Sequence, residues 1–289
     1  MSLLVKVNMA LLAIFAVAMA GVYSFASAVL QDAAKWEINN QASLMMEAAK
    51  AARTYTATEI KPLLVQQLEK DFIAQSVPSY AATQSFLKLR ETHPDYTYKE
   101  ATLNPTNLRD RVVEWESDLV QQFRNHPETK ELTGERMTPT GLSMYLARPI
   151  KVTDAACLAC HSVPSVAPAP LIKTYGAEHG FGWQFNEIVG TQIVSVPASA
   201  AYEQAQKTIR LLMTGVGLTF LVILLLVNLV IGLLVIRPVR KIAQIANDIS
   251  EGKPDVEAFK LRGSDEIAVL SMAFNRMRLS LEKAMEMLH

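Results

Sequence analysis

Two long stretches without a charged residue set the first limit on this chain. Val7–Gln31 lies between Lys6 and Asp32, and Leu211–Ile236 is followed at once by Arg237, Arg240 and Lys241. About 20 apolar residues suffice to cross a bilayer, so membrane-spanning helices are expected over residues 7–30 and 211–236. The basic cluster after the second stretch places that end in the cytoplasm. Two spans then put the region between them on the outside and both termini inside. Ala26-Ser27-Ala28 resembles a leader-cleavage site, the competing reading of the first stretch. That stretch is longer than the apolar core of an ordinary leader, which favours an anchored helix. Charge excludes little else. Twenty-eight basic residues balance 28 acidic ones, so nothing points to nucleic acid.

The region between the spans holds both cysteines of the chain, in Cys157-Leu158-Ala159-Cys160-His161. Two thiols at this spacing reach the two vinyl groups of one porphyrin, and the adjacent histidine falls beneath the iron. A zinc site would want a second ligand pair at a recognisable spacing, and none is present. A redox pair would be expected at a helix start, with no need of the histidine. The expectation is one covalent haem c, held by Cys157 and Cys160 with His161 as axial ligand. The sixth position is read as open, or filled by His179, Met45 or Met144. His93 and His126 each precede a proline in loop-like sequence and suit the surface, and His289 belongs to the cytoplasmic end. Haem propionates need cationic or hydroxyl partners; Arg148 and Tyr175 are the first candidates, then Arg53 and Arg136.

Around this motif the pattern predicts an α+β domain over residues 31–208. A helix from Ala33 to about Glu59 aligns Ala34, Ile38, Met45, Ala49 and Ala52 on one face. Pro62 and the stretch Phe72–Ser79 interrupt it, and a second helix begins with Ser79 as its cap. Tyr96-Thr97-Tyr98 opens a strand that ends near Leu103, and Asn104-Pro105-Thr106-Asn107 is a turn. A helix with Val112, Trp115, Leu119 and Phe123 on one stripe follows and ends at His126-Pro127. Further strands run over Gly141–Val152, with Met144, Leu146 and Arg148 on one face, and over Gly190–Val196.

After the second span, Val239, Ile242, Ala246 and Ile249 make a short amphipathic helix. A connector with Gly252, Pro254 and Gly263 leads to Ile267, Leu270, Phe274, Met277, Leu281, Ala284 and Leu288, spaced as a heptad seam that asks for partner helices. A helix lying on the membrane surface is the alternative.

Residues 237–289, with Pro238 just past the span and Asp265-Glu266 opening the second helix, resemble a HAMP domain, a dimeric four-helix coiled coil. The external region resembles a haem-c-bearing periplasmic sensor family with a PAS-like fold. The resemblance rests on residues 98–107 (YKEATLNPTN), Gly134-Glu135-Arg136, Ala147-Arg148-Pro149-Ile150, Cys157–Ser162 and Tyr175–Gln184. Some relatives carry a cysteine in the stretch matching Phe72–Tyr80, available as sixth ligand; here that stretch has no thiol. Together these resemblances imply a homodimeric sensor in a bacterial inner membrane, responding to redox state or a diatomic gas. Its signal would pass to a separate cytoplasmic protein. No P-loop, catalytic triad or hydrolase motif suggests an enzyme. The rival expectation is a membrane-tethered monohaem cytochrome that carries electrons.

Overall fold

The computed structural model describes residues 2–251, 253 and 265–287, without the side chains of 284–286. Gly252, Pro254, Gly263, Leu288 and His289 lie outside these. The chain divides into two compact units, Ala26–Thr208 and Met1–Phe25 with Ile209–His289.

The first unit is a sheet sandwiched by helices. Strands β1 (Thr97–Thr102), β2 (Leu132–Thr138), β3 (Gly141–Lys151) and β4 (Ile188–Pro197) form one antiparallel sheet in the order β1-β4-β3-β2. Tyr98 and Leu146 both pair with Val194, and Glu100 and Arg148 both pair with Gln192. Side chains alternate along each strand, so one face carries Tyr98, Met144, Leu146, Val194 and Val196. Onto it pack Ile38, Ala42, Met46 and Ala49 of α1 (Leu3–Tyr55) and Ala82 and Phe86 of α4 (Pro78–Leu89). The opposite face, with Ala101, Ala147 and Ile193, is covered by Leu119, Val120 and Phe123 of α5 (Glu114–Asn125). The apolar stripe on α1 includes Ala42 and Met46 as its buried members. Met45, one residue earlier on the helical wheel, is only partly buried against the same cluster.

Where helices stop and start, proline matters more than the polar residue beside it. α4 starts with Pro78 at its first turn and Val77 as cap, so Ser79 is inside the helix and caps nothing. α1 ends in a π-helical turn, Thr56–Ile60, just before Pro62 in the short α2 (Lys61–Leu63), with α3 (Val65–Leu68) beyond. A proline ring clashes with the carbonyl four residues back, and a widened turn relieves that clash. Asn107 caps a 3-10 turn through the Arg109 N–H rather than opening α5 directly. At the start of α5 the Glu116 carboxylate accepts from the Val113 N–H at 2.9 Å.

Polar ties join α1 to the α1-facing side of the sheet. Arg148 of β3 contacts Glu47 at 2.6 Å and Glu131 at 2.9 Å. Arg53 pairs with buried Glu100, whose other oxygen accepts from Tyr98 Oη at 2.7 Å; Tyr98 in turn accepts from Gln192. Burial, with the Glu100 carboxylate beside it, drives the Tyr98 pKa far above that of a free phenol. At the far edge, Tyr202 of α8 (Ser199–Ile231) donates to Glu135 of β2 at 2.7 Å.

In the second unit the early residues of α1 meet the later part of α8. Asn8 and Asn228 exchange reciprocal amide hydrogen bonds at 2.8 and 2.9 Å, and Phe15 stacks on Phe220 with centroids 3.7 Å apart. The pairing of low with high numbers makes these helices antiparallel neighbours. The helices over Leu3–Leu63 and Ser199–Ser250 are long and apolar enough to cross a membrane. A second π-helical turn, Gly232–Ile236, leads into α9 (Arg237–Ser250), again two residues short of a proline, Pro238. α10 (Glu266–Glu286) touches α9 and buries Ala268 and Ser271, whereas Leu270, Met277 and Leu281 of the seam stand exposed.

Candidate haem site

The two cysteines and His161 are presented by one tight turn. Strand β3 ends at Lys151, and Asp154 then caps a 3-10 turn by accepting the Ala156 N–H at 2.8 Å. The turn runs straight into α6 (Leu158–His161), so Cys157 and Cys160 lie one helical turn apart with His161 next to the second thiol. Both cysteines are free thiols, partly buried. Burial raises the pKa of Cys160, with the charge of Lys61 opposing it, so the sulfur is held as the neutral thiol. Arg53 lies within electrostatic reach of Cys157.

His161 is fixed on three sides. Its Nδ1 is 2.7 Å from the carbonyl oxygen of Gly180. A carbonyl only accepts, so the ring proton resides on Nδ1 and the lone pair on Nε2. Burial lowers the His161 pKa below that of a free imidazole, the Gly180 carbonyl opposing, which keeps the ring neutral. The Trp183 ring stacks on the imidazole, centroids 4.0 Å apart and planes within 11°. Two backbone bonds seat the loop, from the Trp183 N–H to His161 O and from the Gly182 N–H to Ser162 O.

The loop that supplies Gly180 needs its glycines. Gly180 and Gly182 have φ of +84° and +83°, a region that disfavours residues with a Cβ. At Gly180 a Cβ would also sit 2.8 Å from the backbone N and Cα of Thr106. Asn104, just past β1, reaches across this contact. Its Oδ1 accepts the Gly180 N–H at 3.2 Å and its Nδ2 donates to Phe181 O at 3.1 Å.

The other residues singled out from sequence are spread more widely. Met144 is in the sheet core and Met45 at its margin. His179 is partly buried beside Gly180. Tyr175, at the end of α7 (Ala169–Tyr175), packs edge-on against Phe72 with centroids 5.3 Å apart. Arg136 lies over the Trp115 ring at 4.2 Å. His93 is exposed beside Thr92 and Tyr96, and exposed His126 caps α5 near Glu128. Nothing in the sequence marks Asn104, Gly180 or Trp183 individually; the alternation Gly180-Phe181-Gly182-Trp183 is the signal for a backbone held close to another group.

Donor chemistry is the test of whether this turn suits haem c. Two free thiols one helical turn apart and an imidazole with a bare Nε2 match the two vinyl groups and one iron of that group. Among the described residues, no three His, Cys, Asp or Glu side chains converge as a cage for a lone metal ion.

Two family models match the chain. A family model described as Tll0287-like matches residues 31–197, more than half of the chain. The chain belongs to the Tll0287-like family. Every residue of the turn and its supporting loop falls inside that match. A second model, the HAMP domain, matches residues 230–283, which takes in the π-helical turn, α9 and most of α10. Among solved structures, the "Crystal structure of the cyanobacterial heme-protein Tll0287" is 17% identical, with a TM-score of 0.41, covering 56% of this chain and 95% of that one. No curated protein matches.

Proposed function

We propose that this Tll0287-like chain with its HAMP domain is a membrane-anchored haem-c sensor that passes a conformational signal to a separate cytoplasmic protein. The observation that carries the reading is His161: neutral, tied at Nδ1, stacked on Trp183, and bare at Nε2 beside two thiols. Cys157 and Cys160 would hold the porphyrin through thioethers and His161 would take the iron. When bound, haem supplies a one-electron couple and a sixth coordination position. We read that position as open. The Gly180 carbonyl takes the Nδ1 side of the ring, opposite the bare Nε2 that would face the iron. Met144 is buried in the sheet core, and Met45 packs against the margin of the same cluster. Arg148 and Tyr175 remain the partners proposed for the propionates, and Arg148 would exchange Glu47 or Glu131 for that role.

The chain is read as crossing a bacterial inner membrane twice, at 7–30 and 211–236, with the domain 31–208 in the periplasm and 237–289 in the cytoplasm. α1 and α8, gripped by the sheet through Arg53–Glu100 and Tyr202–Glu135, continue into these spans. A stimulus acts only through its differential affinity for two conformations, and those two ties hold the sheet to the domain-side parts of α1 and α8. The exposed seam residues Leu270, Met277 and Leu281 suit a homodimeric bundle. The HAMP match favours this relay, without enzymatic activity, over an electron carrier, which needs only an anchor.

The test uses the full chain in detergent or nanodiscs. Haem should stay with the polypeptide after denaturing electrophoresis and be lost in Cys157→Ala/Cys160→Ala. Ferrous protein should change its optical spectrum with carbon monoxide or nitric oxide; an unchanged low-spin spectrum defeats the open sixth position. Spin labels on α9 and α10 that respond to neither reduction nor gas defeat the sensor.

A further inference from the structure

The strongest unassigned arrangement in the molecule is the contact between the end of β1 and the loop behind His161. Asn104 is partly buried and spends both ends of its amide on one short piece of backbone, accepting from the Gly180 N–H and donating to Phe181 O. The Gly180 carbonyl lies between those two groups, and it is the oxygen that faces His161 Nδ1. We propose that Asn104 is a positioning residue for His161, acting through the Gly180 carbonyl and touching neither the ring nor any group bound to it.

The reason such a residue is needed lies in the loop. Three glycines at positive φ, Gly176, Gly180 and Gly182, give it little stiffness of its own. The bonds from Gly182 and Trp183 to α6 hold its far side only. On the near side Thr106 offers shape but no bond: its Oγ1 is buried without a partner and presses on Gly180. Asn104 supplies what the loop lacks, acting as a one-residue strand partner. It is anchored in turn by Leu103, whose N–H donates to Val189 O at the start of β4. A partner that holds the remote nitrogen of an axial histidine fixes its tautomer and raises its basicity as a ligand. Strand β1, which leads into Asn104, carries Glu100, the partner of Arg53, four residues earlier, so movement of β1 would be felt at both α1 and His161.

This inference rests on the haem reading, and its test separates the two. In full-length holoprotein, Asn104→Ala should loosen the Nδ1 bond, weaken the imidazole as a donor and favour the ferrous state. The ferric/ferrous ratio should shift up to about tenfold, which for one electron is a rise of roughly 59 mV. In the haem-free Cys157→Ala/Cys160→Ala chain, where Nε2 is unligated, Asn104→Ala should make the ring-nitrogen NMR of His161 lose its single Nδ1–H form. Asn104→Ser, which reaches only one of the two groups, should move both readouts less and in the same direction. Thr106→Val keeps the shape against Gly180, has no bond to lose, and should leave both unchanged. Unaltered potential and ring signal in Asn104→Ala overturn the proposal; so do equal shifts in Thr106→Val, since packing alone would then set the ring. If the wild-type chain carries no haem, the sensor reading fails while the ring-nitrogen spectra of the same proteins still judge the clamp.

Discussion

Replacing Gly180 with alanine puts the whole support of His161 at stake, and Gly182 provides a control beside it. Both residues have nearly the same positive φ, so alanine at either position costs about 1–3 kcal/mol for the backbone conformation. Only Gly180 is crowded: its new Cβ would meet the backbone of Thr106 at 2.8 Å, whereas nothing lies within 4 Å at Gly182. Backbone cannot step aside as a flexible side chain does, so the loop itself must move. That movement breaks the two Asn104 bonds, each worth about 1 kcal/mol. Gly180→Ala should therefore destabilise the domain by roughly 2 kcal/mol more than Gly182→Ala, in line with those two bonds. Urea unfolding of full-length protein, followed by the near-ultraviolet dichroism of Trp183 and its neighbours, gives the comparison. Equal losses in the two variants would refute the close contact and with it the path from Asn104 to His161.

The buried Tyr98 makes a pH-dependent prediction. Its pKa is raised in the folded protein by burial and Glu100, so its contribution is full below the ordinary phenol value of about 10 and declines above it, by up to about 1.4 kcal/mol per pH unit. Unfolding measured between pH 9 and 11 should fall less steeply in Tyr98→Phe than in wild type; parallel slopes would count against it. In the apolar helices, Asn8→Leu leaves the Asn228 amide without its reciprocal partner. The double-mutant cycle of Asn8→Leu and Asn228→Leu should yield about 0.6–2 kcal/mol of coupling. A coupling near zero in detergent titration would mean that the pair is not formed.

What could be read in advance followed from how strongly a local pattern determines its structure. The uncharged stretches, the periodic faces of α1 and α5 and the Cys-x-x-Cys-His turn each carry their own signal. Strand β2 carries none. It lies at the sheet edge with no buried residue, its alternation is between half-covered and exposed side chains, and Gly134 interrupts it. That glycine is explained only by β3, because the Tyr145 side chain lies across it where a Cβ would stand. The stripe on α1 was legible, while the choice of Met46 over Met45 depended on which way the helix rolls onto the sheet. In the same way Cys157, Cys160 and His161 could be named from their spacing. The hold on His161 could not, because it joins Asn104 to Gly180 across 76 residues of sequence.

The two π-helical turns put a rotational offset into the helices that bear them. Such a turn takes up one more residue than an α-helical turn, and each residue of an α-helix is worth about 100° of rotation. With Gly232–Ile236 widened ahead of Pro238, the faces of α9 are set about 100° round from where an uninterrupted α8 would have put them. Ile242, the buried residue of α9, owes its side of the helix to that offset. The proline after the span thus acts as the tooth that fixes the gear, and one wide turn decides which edge of α9 is presented to its neighbours.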